Sequence, residues 1–201
     1  MIIEKGYLVG SDTDRKVKQL HCDKKSGKLV DPEAIVLHYT AGGNAMSSAQ
    51  YLARRDVDAS AHVVVARDGG IIQLLPFDTV AWHAGVSEYE GRRHLNQWSI
   101  GIEMDNAGEL HRRKGRFFSW FNHEYMPDEV FTDCVNGRAR YWHRYTEAQL
   151  KTVFEICRLL VERYPIRLVL GHSDVSSRKI DPGAAFPMDR CREELTKLMR
   201  R

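Results

Sequence analysis

Short, almost wholly apolar runs recur along the chain and predict buried strands. They are Ala34 to Tyr39, Trp98 to Met104 and Ile166 to Leu170, a composition typical of strands covered on both faces. Another two runs, His62 to Ala66 and Ile71 to Leu75, are separated by four residues that include Asp68-Gly69. Asp-Gly between β-favouring runs predicts a hairpin.

Helical periodicity is clearest from Thr146 to Tyr164, where apolar residues recur at i, i+3, i+4 and i+7. Thr146-x-x-Gln149 is a capping-box pattern, and Pro165 ends the helix. A shorter helix is predicted from Ala45 to Arg55, with Asn44 or Ser47 as its N-cap. A C-terminal helix is predicted from Asp189 to Arg200.

Two stretches carry weaker patterns. Near the start, Lys16 to Leu20 could pair with Lys28 to Val30 as a short hairpin. Residues 105–145 contain a basic, aromatic cluster, His111 to Trp120, which would suit RNA binding if a recognised module surrounded it. Because none does, we expect residues 105–145 to form a solvated loop that partly covers a cleft.

Composition narrows the class of protein. A chain of 201 residues with net charge +3 is expected to be one soluble domain without a nucleic-acid partner. No run reaches the ~20 apolar residues of a membrane span, so no membrane partner is expected. Only Met1 to Ile3 precede Glu4 and Lys5, so we expect no signal peptide and a cytoplasmic location. The four cysteines are widely spaced and are expected to be free thiols.

Candidate chemistry collects at the ends of the predicted strands. His38 ends the first strand, His172 follows the last, and Asp181 lies in the adjoining loop. Two imidazoles and a carboxylate, with a fourth position left for water, suit a catalytic zinc ion. Lys179 could stabilise negative charge that develops beside them. Taken alone, each residue also fits a plainer role, as a core histidine or a capping aspartate.

Three further positions stand out. Glu103 lies in an apolar strand, where burial beside a metal or a lysine would explain a carboxylate, and an exposed strand end is the alternative. Trp82 and His83 occupy a glycine-bounded loop that could line a substrate cleft, although a buried Trp anchoring the loop is nearly as good an interpretation. His62 opens a strand and is more typical of a structural histidine than of a metal ligand.

Ordered motifs over nearly the whole chain outside residues 105–145 resemble one known family. The chain is similar to zinc N-acetylmuramoyl-L-alanine amidases, which are related to peptidoglycan recognition proteins and phage amidases, and most to the AmpD-type 1,6-anhydro-muramyl branch. The matching motifs are Gly6-Tyr7-Leu8-Val9-Gly10, Val36-Leu37-His38, Ser60-Ala61-His62, Arg67-Asp68-Gly69, Pro76-Phe77-Asp78, Ala81-Trp82-His83-Ala84-Gly85-Val86-Ser87, Asn96-x-x-Ser99-Ile100-Gly101-Ile102-Glu103, Gly171-His172-x-Asp174 and Arg178-Lys179-x-Asp181-Pro182-Gly183.

The resemblance implies an α/β fold in which a mixed central sheet is flanked by helices, as in peptidoglycan recognition proteins and phage amidases. It implies Zn²⁺ on His38, His172 and Asp181, with Glu103 and Lys179 as catalytic residues. The implied reaction cleaves the amide between N-acetylmuramic acid, in its 1,6-anhydro form, and L-Ala of the stem peptide. The candidate substrate-binding residues are Tyr39, His62, Trp82, His83, Asn96 and Arg178.

Some features of the implied protein stay open. We expect a monomeric single domain over residues 1–201, acting on soluble muropeptides or on the cell wall. About forty residues separate Glu103 from the long helix, more than is usual in the recycling branch, so residues 105–145 are expected to be an insertion. Phe117, Phe118 and Trp120 could meet sugar rings there, and Arg112, Arg113 and Arg116 could meet peptide carboxylates. A surface loop without a role is an equally good interpretation of this segment. The alternatives are a peptidoglycan-binding module without catalysis, a phage endolysin and an exported antibacterial effector.

Overall fold

The computed structural model describes residues 1–10, 17–24 and 26–199. Its strands, in chain order, are β1 (Ile2–Glu4), β2 (Tyr7–Val9), β3 (Val17–Gln19), β4 (Ala34–Tyr39), β5 (Val63–Val65), β6 (Ile71–Gln73), β7 (Glu88–Tyr89), β8 (Arg92–Arg93), β9 (Ser99–Met104), β10 (Glu109–Arg113), β11 (Arg116–Phe118), β12 (Glu124–Tyr125), β13 (Val130–Val135), β14 (Arg138–His143) and β15 (Leu168–Gly171). The helices are α1 (Ala45–Ala53), α2 (Glu147–Arg163), α3 (His172–Val175) and α4 (Met188–Met199), with short 3-10 turns at Leu95–Gln97 and Pro127–Glu129.

A six-stranded sheet in the order β15-β4-β9-β5-β6-β3 forms the centre of the molecule. Only the β5–β6 pair is antiparallel, and the other neighbours run parallel. Helices α2 and α4 cover one face, where Leu37 and Ile102 share an apolar cluster with Ile156 of α2. Helix α1 and the segment 81–98 cover the other face. The predicted mixed sheet flanked by helices is confirmed.

The two predicted internal helices begin at the capping residues that the sequence indicates. The Thr146 side chain accepts a hydrogen bond from the Gln149 amide at the start of α2, and Asn44 does the same for Ser47 at the start of α1. The long helix ends one residue before Tyr164, just ahead of Pro165. Within the described ranges, no helix is both long and apolar enough to cross a membrane.

The two predicted hairpins had different outcomes. Val63–Val65 pairs antiparallel with Ile71–Gln73, so the hairpin around Asp68-Gly69 is confirmed. The hairpin between Lys16–Leu20 and Lys28–Val30 was wrong: β3 instead pairs parallel with β6, and Lys28 bridges to Thr79. Lys16 itself lies outside the described residues. An isolated two-stranded ribbon is marginal in water, and the edge of the large sheet offers β3 a more stable partner.

Residues 105–145 are not the solvated loop that was predicted. They contain a five-stranded antiparallel sheet in the order β12-β11-β10-β14-β13. Tight turns join its strands at Lys114-Gly115 and Asn136-Gly137, where all four residues have positive φ, as a type I′ turn requires. A small apolar cluster lies beneath it, formed by Ala107, Leu110, Tyr125 and Val130. The strands are short and largely exposed, so no long apolar run marked them.

Candidate active site

The central sheet brings the side chains predicted to form the site together at the carboxyl ends of neighbouring strands. His38 on β4 lies directly beside Glu103 on β9 in the parallel register, so both side chains leave the same face near the carboxyl ends of their strands. On the other side of β4, Gly171 of β15 pairs with Leu37, and His172 follows at once as the first residue of α3. Polar groups therefore meet where open α/β sheets place their sites.

Three atoms of the kind that ligate metal ions form a nearly equilateral group at the carboxyl ends of these strands. Nδ1 of His38 and Nδ1 of His172 are 3.0 Å apart, and each is 3.0 Å from Oδ2 of Asp181. All three residues are buried. The structure therefore brings together the three residues proposed as metal ligands, and they could hold a metal ion.

The hydrogen bond on the far side of His172 fixes which ring nitrogen faces this group. Its Nε2 lies 3.3 Å from the carbonyl oxygen of Ala84. A carbonyl can only accept, so Nε2 must carry the proton. In the neutral ring, Nδ1 then presents a bare lone pair toward His38 and Asp181.

A longer chain of hydrogen bonds fixes His38 in the same tautomer. The hydroxyl of Ser99 donates to the Leu95 carbonyl at 2.6 Å, so Nε2 of His83 must donate to the Ser99 oxygens, 3.3 Å away. Nδ1 of His83 can then only accept, and it lies 3.1 Å from Nε2 of His38. His38 therefore donates through Nε2 and turns a bare Nδ1 to the same point as His172.

Two bare imidazole nitrogens and a carboxylate oxygen so close together repel each other unless a cation lies among them. Burial lowers the pKa of His38 despite its contact with Asp181, so its ring is neutral. Burial by itself favours the protonated form of Asp181, and two bare Nδ1 atoms donate no hydrogen bond to this carboxyl, so its ionised form calls for a cation at the same point. Neutral imidazoles with an ionised carboxylate are the donors that zinc takes in catalytic sites.

Glu103 is poised to move protons. Its Oε2 atom is fully buried and has no hydrogen-bond partner within the described structure. Burial raises the pKa of Glu103 to about 8, the charge of Asp181 acts in the same direction, and Lys179 opposes them. A carboxyl that titrates near neutral pH suits a general acid–base residue. Glu103 and Lys179 line one cavity of about 370 Å³ together with the three metal-ligand candidates.

Four of the six candidate substrate-binding residues also line this cavity, namely Tyr39, Trp82, His83 and Arg178. Trp82 is 39% exposed and offers its ring to the cleft, whereas His83 is buried against His38 and Ser99. The structure therefore gives His83 a positioning role through its ring nitrogens, a role that the sequence did not indicate.

The other two candidates hold the frame of the site. Nε2 of His62 donates to the Thr79 carbonyl at 2.8 Å, and Nδ1 accepts from the Gly101 amide at 3.0 Å. With its ring fully buried and both nitrogens engaged, His62 is placed as a support and not as a substrate contact. Asn96 accepts from the amides of His83 and Ala84 at 3.0 and 2.7 Å, and so fixes the loop that contacts both His38 and His172.

Sequence reasoning missed two residues that complete this frame. Ser99 orients His83, as described above, and Gly101 makes room for it. A Cβ atom on Gly101 would lie 2.3 Å from Cγ of His83, so no larger residue fits without displacing the ring. Both lie in the motif Asn96-x-x-Ser99-Ile100-Gly101-Ile102-Glu103, but their partner is distant in the sequence and nothing local reveals the contact.

Comparison with known proteins agrees with this geometry. Residues 28–184 match the Amidase_2 family, described as N-acetylmuramoyl-L-alanine amidase. The chain is 30% identical over 217 aligned residues to the 1,6-anhydro-N-acetylmuramyl-L-alanine amidase AmpD of Escherichia coli K12, covering 98% of each protein.

Solved structures give the same result. A selenomethionine AmpD superposes with a TM-score of 0.67 at 26% identity, over 96% of this chain and 98% of AmpD. AmiD of E. coli, solved with the substrate anhydro-N-acetylmuramic acid-L-Ala-D-gamma-Glu-L-Lys, superposes with a TM-score of 0.62 at 27% identity, over 96% of this chain and 65% of AmiD. The chain therefore belongs to the N-acetylmuramoyl-L-alanine amidase family.

Proposed function

We propose that this protein is a zinc-dependent amidase that hydrolyses the bond between N-acetylmuramic acid, in its 1,6-anhydro form, and L-Ala of the stem peptide. The observation that carries the proposal is the buried group of His38, His172 and Asp181 with Glu103 beside it. AmpD and substrate-bound AmiD support the choice of substrate. The proposal includes a cytoplasmic location, because peptidoglycan recycling handles soluble muropeptides inside the cell. A monomer is also part of the proposal.

His38, His172 and Asp181 would hold the ion, and zinc bound there supplies Lewis-acid activation of water and of the substrate carbonyl. Glu103 accepts the proton of the attacking water and returns it to the departing amine of L-Ala. Lys179 stabilises the oxyanion that forms on the carbonyl oxygen. Arg178 is exposed beside Lys179, and in this proposal it meets carboxylates of the stem peptide.

The state of Glu103 supports catalysis over simple binding. A buried carboxyl oxygen without a hydrogen-bond partner lowers stability, and a module that only binds peptidoglycan gains nothing from it. In this proposal residues 1–201 form one amidase domain, and the sheet within residues 105–145 is an addition to the family fold. Its Trp120 reaches the cleft region, while Arg116 pairs with Glu124 and Phe117 packs on Tyr141.

Mass spectrometry of reaction products tests reaction and substrate together. The zinc-loaded protein should release intact stem peptide with a free L-Ala amine from soluble anhydro-muropeptides, and should act much more slowly on intact sacculi. Faster release from sacculi would favour the endolysin or effector role. Cleavage at any other bond, or none in either substrate, would refute the proposed activity.

A further inference from the structure

A second cavity of about 460 Å³ adjoins the catalytic one. It lies between α1 and the turn at Trp120, and we call it the Trp120 groove. Thr40, Tyr51, Leu52 and Glu103 line both cavities, so the groove opens onto the catalytic carboxyl. A substrate that reaches Glu103 can therefore extend into the groove without leaving the protein surface.

The indole of Trp120 is held in place at the groove. Its Nε1 donates a hydrogen bond to the Ala41 carbonyl at 2.7 Å, and the Phe121 ring packs edge-on against it with centroids 5.5 Å apart. Backbone hydrogen bonds from Ser119 to the His123 carbonyl and from Asn122 to the Ser119 carbonyl close the turn beneath it. Trp120 is nevertheless 65% exposed, so a ring fixed in this way is ready to stack on a ligand.

The chemistry of the groove favours a sugar over a peptide. Trp120 and the half-exposed Tyr51 offer aromatic faces, and Thr40, Ser47 and Ser48 offer hydroxyls. Among the described residues lining it, only Glu103 is acidic and none is basic. The cations lie instead in the catalytic cavity, at Arg178 and Lys179. Stem peptides carry carboxylates that need cations, whereas a hexosamine ring needs flat apolar faces and hydroxyl partners.

We propose that the Trp120 groove binds the N-acetylhexosamine ring glycosidically linked to the muramoyl unit, so that the enzyme prefers disaccharide-peptides to muramoyl-peptides. This inference rests on the proposed amidase function. It makes Trp120 a specificity-determining residue that contacts a part of the substrate remote from the cleaved bond. Binding energy from such a contact is expected chiefly in KM when it is equal in ground and transition states.

Kinetics on two matched substrates test the inference. Wild-type protein should hydrolyse the disaccharide-anhydro-peptide with kcat/KM roughly three- to tenfold above that of the monosaccharide form, the scale of one aromatic stacking contact. Trp120→Ala should remove this preference through KM while zinc content stays at one per chain. Tyr51→Ala, on α1, should reduce it independently of the turn. Met126→Ala, exposed in the same segment and outside the groove, is the matched control and should change nothing.

An unchanged disaccharide preference in Trp120→Ala would overturn the inference. So would a loss that depends on stem-peptide length and not on the second sugar, since that would assign the groove to peptide. If wild-type protein cleaves neither substrate, the proposed function fails by itself. Sugar binding in the Trp120 groove is then tested by titrating chitobiose while following the NMR signal of the Trp120 indole N–H. A saturable shift supports the sugar subsite, and no shift overturns it.

Discussion

Replacing Glu103 by Gln should stabilise the metal-free protein while removing the group that transfers the proton. The buried Oε2 atom has no partner, and burial raises the pKa of Glu103 to about 8. Gln has nearly the same shape and cannot ionise. Near neutral pH the Glu103 carboxyl is ionised in the unfolded chain but must take up a proton to fold, which costs free energy of folding. The substitution removes this cost.

The size of this effect follows from the two pKa values. The carboxyl ionises near 4.5 in the unfolded chain and near 8 in the folded protein. Between these values the unfolded state binds fewer protons, so the free energy of unfolding falls as pH rises, and it levels off above the folded pKa. At ~1.36 kcal/mol for each unit, raising the pH from about 5 to about 8 should cost the wild type at most about 3–4 kcal/mol that Glu103→Gln does not lose, and less to the extent that solvent reaches the partly exposed Glu103 side chain.

Urea denaturation with a chelator present measures this difference. Wild type and Glu103→Gln should unfold with similar free energies at pH 5, and the variant should be the more stable one at pH 8. Groups that do not interact with Glu103 titrate equally in both proteins and cancel in the comparison. Glu193→Gln, at an exposed position of α4, is the control and should follow the wild type. Parallel pH curves for wild type and Glu103→Gln would refute the account of a Glu103 carboxyl that stays protonated because its Oε2 atom is buried.

The remaining predictions concern the hydrogen-bond chain and the charge beside it. His83→Ala should weaken zinc affinity roughly 10–100-fold in a chelator competition, because His38 loses the acceptor that fixes its tautomer; unchanged affinity would contradict that role. Gly101→Ala should do the same by displacing His83, whereas Gly43→Ala, whose new Cβ meets nothing nearer than 3.9 Å, should not. Lys179→Met should keep its zinc and lower kcat by roughly 10²–10³ in steady-state assays, and a near-normal kcat would remove Lys179 from the mechanism.

The elements best predicted from the sequence are those with a long apolar run or an apolar stripe along one face. β4 has the predicted limits, β9 begins one residue late, and the cap of α2 lies at Thr146 as expected. Buried strands and a helix with an apolar stripe carry their own signal, since each places many apolar side chains against one core. His38, His172 and Asp181 could be predicted as one group because the carboxyl ends of neighbouring parallel strands lie close together.

The sheet within residues 105–145 was missed although one signal for it was present. Asn136-Gly137 lies between Val130–Val135 and Arg138–His143, a strong hairpin pattern. Many strand positions of this sheet are exposed and charged. The sequence therefore shows a basic cluster at His111 to Trp120 in place of an apolar strand pattern. The position of Trp120 could not be predicted either, because its partner Ala41 lies 79 residues away and the contact depends on how the two sheets meet.

The role of His83 was hidden for the same reason. Its partners are His38, 45 residues earlier, and Ser99, 16 residues later, and neither separation has a local signature. A Trp-His pair in a glycine-bounded loop is equally compatible with a substrate contact, which is what the sequence suggested. Only the packing of the ring against Gly101 shows that His83 faces the sheet.

The most direct test of the account combines metal content and turnover in the same samples. Wild type and Glu103→Gln would be stripped with a chelator, reloaded with zinc, assayed by elemental analysis and given an anhydro-muropeptide. We expect one zinc per chain in both proteins, release of the stem peptide by the wild type alone, and no turnover before reloading. Full activity in metal-free wild type, or near-normal kcat in zinc-loaded Glu103→Gln, would contradict it.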